Sequence, residues 1–318
     1  MHRALLFLYA ETPVHVGADA SLGALDLPIQ REVTTGLPII KAESLKGALR
    51  ERFRPPRDRK DERKRWTKTF GDEPPSAGVR QGELKPGTLR VHEAQLVAFP
   101  VPALARTFVW ATSPLARARL DRKARLAGVS VTPADGSAPP VRPDDSACLT
   151  SETTADRFVL GPYVVTASRD DAVRNWAGRL ARTALPDLEE MAFFADKLAT
   201  ELLVCSDDLL GAISRDCAPV VARVQLGTGE DGDVPRKTVK HGPFYSEYLP
   251  AETILAALLE CDDADDLAHV RDGLNNDLLR IGGDETLGKG LLWCRIPPPD
   301  AAEHQNHHQE RTVAAVIA

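Results

Sequence analysis

Apolar residues run without a break from Ala4 to Ala10 (Ala-Leu-Leu-Phe-Leu-Tyr-Ala). A run of that length predicts a strand buried on both faces. Glu11 ends it too early for a signal peptide, and a long loop follows to Gly36, with Gly17, Gly23 and Pro28 inside it. Leu37-Pro38-Ile39-Ile40 reads as a strand end, and Ser44 as the cap of a helix that buries Leu45, Ala48, Leu49 and Phe53. Strands are predicted at Gln95–Val101 and Thr107–Thr112, and helices near 170–182 and 187–203. Val220–Leu226 and Thr238–Tyr248 flank a Gly- and Asp-rich turn and read as a long hairpin, irregular where Pro235 removes a ladder donor. A short helix is predicted at Glu252–Cys261 and a second through Leu267, Val270, Leu274 and Leu278. A glycine-rich loop at 282–290 then leads into a strand at Leu291–Ile296. This order of strands and helices predicts an α+β fold, with a ferredoxin-like (RRM-like) sheet carrying large insertions.

Composition narrows the class. The 318 residues are 43% hydrophobic and 27% charged, which excludes a mostly disordered chain, and 40 Lys+Arg against 46 Asp+Glu give −6. The whole chain is therefore no basic nucleic-acid coat, although a local groove can still be basic. Five widely spaced cysteines without a CxxC pair suit a reducing cytoplasm and argue against a structural zinc site. No apolar run approaches the roughly 20 residues that span a bilayer. Residues 50–68 hold ten Lys/Arg against four Asp/Glu, with Pro55 and Pro56 between them, and read as an exposed, partly irregular basic insertion. Residues 128–151, rich in Pro, Gly, Ser and Asp, predict a mobile loop, and the tail at 297–318 has no clear order.

Three segments carry candidate chemistry. Gly282-Gly283-Asp284-Glu285-Thr286-Leu287-Gly288-Lys289-Gly290 nearly matches a phosphate-binding P-loop but has Gly290 where a hydroxyl should hold magnesium, and a strand follows it. Its amides suit either a phosphate contact or a tight turn. The loop after the first strand holds His15, Asp19, Asp26, Gln30, Arg31 and Glu32, types that serve acid–base or metal chemistry and that are also common in any polar loop. Asp26 stands out between Leu25 and Leu27. Ser44, Lys46 and Arg50 place a hydroxyl and two cations at one helix start, either a phosphate site or a solvated basic face. Trp66, Trp110, Trp176 and Trp293 read as core residues, the run 262–266 as a solvated helix boundary with a carboxylate cap, and the tail histidines as without a role.

Together the run from Tyr9 to Gly17 continuing to Leu25-Asp26-Leu27-Pro28-Ile29-Gln30-Arg31-Glu32, the helix start Ser44-Leu45-Lys46-Gly47-Ala48-Leu49-Arg50 and the glycine loop 282–290 resemble the RAMP superfamily of CRISPR proteins. Within it, the chain is similar to the repeated backbone subunits of the Cmr, or type III-B, effector complex. Phe244-Tyr245-Ser246-Glu247-Tyr248-Leu249-Pro250 extends the resemblance to almost the whole chain, with Ser246-Glu247 where the family often has paired glutamates. The resemblance implies a single palm over 1–318 with a hairpin thumb within 205–245. It implies copies stacked along a guide RNA, other Cmr subunits as partners, and regular cutting of complementary single-stranded target RNA. It places Asp26 and His15 at the cutting site, Asp26 also on a divalent ion (Mg or Mn), and Ser44, Lys46, Arg50, Gly282, Gly283 and Lys289 along the RNA backbone. Cleavage would proceed by attack of a ribose 2′-hydroxyl on its adjacent phosphate. A non-catalytic filament subunit of a related complex is the first alternative, against which Asp26 argues. A monomeric precursor-processing endonuclease is the second, against which the long thumb argues.

Overall fold

The computed structural model describes residues 1–18, 25–73, 84–104, 106–131, 147–150, 157–229 and 236–300. Most of the predicted mobile loop at 128–151, the hairpin tip at 230–235 and the tail beyond 300 lie outside the described residues.

Strand β1 (His2–Ala10) is the centre of the molecule. It pairs antiparallel with β12 (Ile254–Cys261) on one side and with β14 (Leu291–Arg295) on the other. Beyond β14 lies β13 (Asp277–Arg280), and beyond β12 lies β4 (Ala94–Ala103). Short strands β2 (Ile39–Ile40) and β3 (Leu89–Val91) pair with β4 and β12. The sheet then continues through β5 (Thr107–Thr112), β9 (Leu202–Val204), β6 (Ala147–Thr150), β8 (Tyr163–Arg169) and β7 (Arg157–Leu160). β7 meets β4 again at Leu160 and Ala103. The result is a mixed α/β fold with one large, mostly antiparallel sheet.

The unbroken apolar run of β1 is explained by helices on both faces. Ala4, Leu6, Leu8 and Ala10 share one core with Leu45 and Leu49 of α1 (Ala42–Arg52), Trp66 and Phe70 of α2 (Lys60–Phe70) and Leu267, Val270 and Leu274 of α7 (Ala264–Leu274). Leu5, Phe7 and Tyr9 share a second core with Leu120 of α3 (Pro114–Leu126), Trp176 and Leu180 of α4 (Asp171–Ala184) and Leu198 of α5 (Ala192–Thr200). A third core joins the far strands to Leu210 and Ile213 of α6 (Asp207–Asp216).

Several expectations are corrected. Residues 254–261 form strand β12, not a helix, because Leu255, Ala257 and Leu259 enter one core while Ile254, Ala256 and Leu258 enter the other. A continuous apolar run satisfies both periods, so periodicity alone could not decide. Leu278 belongs to β13 rather than to the preceding helix, and the helix predicted over 187–203 is confined to Ala192–Thr200 before β9 begins. A strand, not a helix, therefore precedes the glycine loop. Lys41 rather than Ser44 is the N-cap of α1, without a side-chain cap.

The basic run at 50–68 is largely exposed and irregular over 53–59, as expected. Its second half is α2, which buries Trp66, Thr69 and Phe70. Its charges are met by the acidic run at 262–266, since Arg65 pairs with Asp266 and Lys68 with Asp263 and Asp266. Asp266 is itself buried. That acidic run bounds a helix as expected, with the Asp263 carboxylate capping α7, and it is in addition a counter-charge of α2.

The hairpin predicted from 220 onward is β10 (Val220–Gly229) with β11 (Arg236–Glu247), paired antiparallel as a separate two-stranded ribbon. The first part of the segment 205–245 is α6 instead, packed in the third core.

Candidate nucleic-acid interface and cutting site

The loop that leaves β1 folds back over the start of the sheet. Val14 and Leu249 exchange both main-chain bonds, 2.9 and 2.8 Å long. This sets the His15 ring against Tyr248, with centroids 5.4 Å apart, and brings its Nδ1 to 2.7 Å from the Glu247 carbonyl oxygen. A carbonyl only accepts, so Nδ1 carries a proton, and in the neutral ring Nε2 keeps the lone pair.

The glycine loop closes on this turn. The Gly283 N–H donates to His15 O (2.8 Å) and the Gly290 N–H to Pro13 O (3.0 Å). Gly282 has φ +92°, and a Cβ there would lie 2.3 Å from His15 O. The glycines let this β13–β14 turn sit on the His15 loop, and the Gly283 amide is spent on that contact. Asp284 of the same turn receives two bonds from Arg223 of β10 (2.8 and 2.7 Å) and one from the Tyr248 hydroxyl (2.8 Å). Burial pushes the Asp284 carboxyl up, but bonds from Arg223 and Tyr248 outweigh it and hold the group below the usual carboxylate range. Strand β10 is thereby pinned to the glycine turn.

Asp26 is exposed, and its Oδ2 accepts the Tyr245 N–H of β11 at 2.7 Å. The residues after it run beside β11 in a parallel bridge between Leu27 and Ser246. Gln30 ties the same loop to α1: its Nε2 donates to Gly17 O and Ser44 Oγ, each 3.2 Å away, while its Oε1 accepts the Lys41 N–H.

These elements enclose a groove of about 900 Å³ lined by His15, Gly17, Gln30, Ser44, Gly47, Ala48, Gly282 and Gly283. The structure thus brings four of the predicted site residues, His15, Ser44, Gly282 and Gly283, to one surface. Gly47 faces this groove, with nothing of the protein within 4 Å of a Cβ built on it. Asp26, Lys46, Arg50 and Lys289 are outside that lining. Lys46 and Arg50 share another flank of α1. The Arg50 guanidinium lies 4.6 Å from the Trp66 ring centroid and donates to Gly71 O. Burial, then the charges of Arg50 and Arg90, lowers the Lys46 ammonium below its ordinary value. Lys289 Nζ sits 5.5 Å from the Tyr248 ring centroid. Sequence reasoning missed Arg52 and Arg280, which supply the groove's arginines beside Glu43, Glu51 and Glu285. It also missed Glu247, whose motif was quoted without a role.

Among the described residues, no three His, Cys, Asp or Glu side chains group closely enough to hold an ion. Asp26 offers a single oxygen beyond the one engaged by Tyr245.

The sequence matches the model of the RAMP superfamily over residues 7–293. The chain belongs to the RAMP superfamily. Among relatives of this RAMP protein, the CRISPR system Cmr endoribonuclease Cmr4 of Pyrococcus furiosus is 31% identical over 306 residues, 92% of this chain and 95% of that one. The crystal structure of oligomeric Cmr4 from the same organism superposes with a TM-score of 0.68 at 25% identity, over 93% of this chain and 98% of that one. A chain of the type III-B Cmr-beta complex bound to cognate target RNA has the same fold, with a TM-score of 0.65 at 20% identity over 93% and 97% of the two chains. Among the described residues, no helix is long and apolar enough to cross a membrane.

Proposed function

We propose that this RAMP protein is the backbone subunit of a type III-B CRISPR effector complex. It binds guide RNA together with further copies of itself and other Cmr subunits, and it cleaves complementary target RNA at regular intervals. The observation that carries this reading is the convergence of three distant segments, the His15 loop, the start of α1 and the glycine turn, on one groove. The Cmr4 relative, matched over nearly its whole length, supports the ribonuclease assignment. Such a complex works in the cytoplasm.

The core of the fold reads as a ferredoxin-like palm. The spatial order β14-β1-β12-β4 with α1 and α7 on one face supports that description, as the two-stranded ribbon supports the thumb. In the palm, Ser44 and the glycine turn face the RNA backbone from the groove, and Lys46, Arg50 and Lys289 supply charge beside it. Sequence is read by base pairing, so the protein needs only phosphate and shape contacts.

Cleavage needs no protein nucleophile. The target's 2′-hydroxyl attacks its own 3′ phosphate, its proton leaves to a base, and the P–O5′ bond breaks with a proton delivered to the leaving oxygen. His15, with Nε2 unprotonated, and the exposed carboxylate of Asp26 are the groups assigned to that proton traffic. The thumb displaces one nucleotide so that the 2′-oxygen, phosphorus and leaving oxygen fall in line. A divalent ion, Mg or Mn, would take Asp26 as one ligand, with RNA phosphate and water as the rest.

The reading is tested by purifying the chain with its Cmr partners and a single guide. Assemblies that carry that short RNA and cut a complementary strand at a fixed spacing support it. Assemblies that bind target without cutting would favour the filament-only alternative, and a monomer that trims precursor RNA would favour the processing enzyme.

A further inference from the structure

Glu247 is buried at 5% exposure; its carbonyl holds His15, while its main-chain N–H and carboxylate hold Leu27, Ile29 and Arg31 of the loop that carries Asp26. The loop 26–31 runs alongside β11 as a parallel strand would. Leu27 N–H donates to Tyr245 O at 3.0 Å, and Glu247 N–H donates to Leu27 O at 2.9 Å. A regular parallel ladder would next send the Ile29 N–H to the Glu247 carbonyl. It does not. The Glu247 carbonyl accepts from His15 Nδ1, and the Ile29 N–H goes to the Glu247 carboxylate, Oε2, at 3.0 Å. The other oxygen, Oε1, is held by Arg31 at 2.5 Å. Arg31 also donates to Gly36 O and Ser214 O, 3.0 Å each, so the carboxylate is fixed from both ends.

We propose that Glu247 is a positioning residue for RNA cleavage: its carboxylate replaces its own carbonyl in the ladder beside Asp26, freeing that carbonyl to hold His15 in the Nδ1–H form. Without the carboxylate, the Ile29 N–H falls back on the regular ladder acceptor, the carbonyl at 247, and shares it with His15. A buried amide does not stay unpaired, and although a carbonyl can accept twice, drawing the ladder onto that oxygen weakens its hold on His15. Its ring would then be free to carry its proton on Nε2, the atom the reaction needs unprotonated. The loop bearing Asp26 would lose its registration on β11 in the same step. This inference rests on the proposed cutting reaction, but it also makes a claim about the ring of His15 that is independent of cutting.

The test uses the full-length chain labelled with ¹⁵N-histidine, and complexes reconstituted from it. Glu247→Ala should raise the share of His15 protonated at Nε2 in the NMR spectrum. It should slow cutting at saturating target by tenfold or more and leave target affinity within twofold. Glu247→Gln, which retains one acceptor oxygen in the same volume, should fall between wild type and Glu247→Ala on both readouts, and it serves where the alanine variant does not fold. An Nδ1–H ring in folded Glu247→Ala, or wild-type cutting by it, would overturn the inference, as would failure of both variants to fold, which would make Glu247 a stability element. Asp26→Asn run in parallel separates the two claims. If it also cuts normally while the His15 tautomer shifts as stated, the cutting assignment is wrong and the role of Glu247 at His15 stands.

Discussion

The side chain of Asp26 accepts a hydrogen bond from the main-chain N–H of Tyr245, 2.7 Å away, so the carboxylate is fastened to the base of the thumb strand β11. A residue assigned to chemistry and the element assigned to deforming the RNA are thus one mechanical unit. Tyr248, three positions along, bonds Asp284 of the glycine turn, and the same carboxylate holds Arg223 of β10.

Gly282 should tolerate no side chain. A Cβ at 2.3 Å from His15 O, on a backbone at φ +92°, must push the turn off the His15 loop. Gly282→Ala should cost about 1–3 kcal/mol of stability through backbone strain. Thermal unfolding measures the cost, and a cleavage assay on the same preparation should show slower cutting because His15 moves.

Lys46 and Arg50 should behave differently although both are expected on RNA. Lys46→Glu should weaken guide binding equally for unrelated guides and flatten the salt dependence by about one unit of slope. Arg50→Glu should do the same but also lower stability, because the Arg50 guanidinium lies on the Trp66 ring. Filter binding at several salt concentrations, alongside melting curves, separates the two. A loss confined to one guide sequence would contradict a phosphate contact.

Glu252 predicts a pH dependence of folding. It adopts φ +69°, its Oε2 is buried with no partner among the described residues, and burial raises its carboxyl to about 7. The folded state therefore holds a proton that the unfolded chain releases near the ordinary glutamate value of 4.5. The sign follows: this contribution to stability is full below about pH 4.5 and is lost as pH rises through about 7. Glu252→Gln should remove that slope and raise the melting temperature at pH 8 more than at pH 5. An unchanged difference between the two pH values would rule the assignment out.

Shortening the thumb should spare the fold. The ribbon contributes little to the three cores, and the cross-strand pair Leu226 and Val239 is exposed on both sides. Replacing residues 228–238 by a short turn should leave the melting temperature unchanged while the regular cutting positions blur or vanish on a sequencing gel. Unchanged positions would remove the thumb from the mechanism.

Much of this was legible in the residues, and what was not has physical causes. β1 was visible because its apolar run starts and stops sharply, and the β10–β11 ribbon because a glycine-rich turn separates two strand-like segments. β12 was hidden because both of its faces are buried, which erases the alternation that marks a strand. The pairing of α2 with the acidic run at 262–266 joins residues about 200 positions apart, and local charge counting sees each run only as a solvated surface. His15 and the glycine turn were read separately, yet their contact, through Gly283 N–H and His15 O, is what makes the groove. Glu247 was quoted only as part of a motif. Its importance depends on a carbonyl being already taken, which no sequence pattern records.

In the proposed reaction Asp26 does chemistry rather than holding the fold. Its carboxylate is exposed, and an amide at the same position can still accept the Tyr245 N–H through its oxygen, so Asp26→Asn should stay within about 0.5 kcal/mol of wild type in stability. The decisive measurement is single-turnover cleavage of target RNA by reconstituted complexes carrying Asp26→Asn, with and without a chelator, beside target-binding affinity. The expected result is unchanged assembly and binding with cutting reduced by about 10²-fold or more, in the range a general base contributes, and wild-type cutting lost on chelation. Full cutting by Asp26→Asn would contradict the account and shift the chemistry to His15, and wild-type cutting indifferent to the chelator would remove the divalent ion from it.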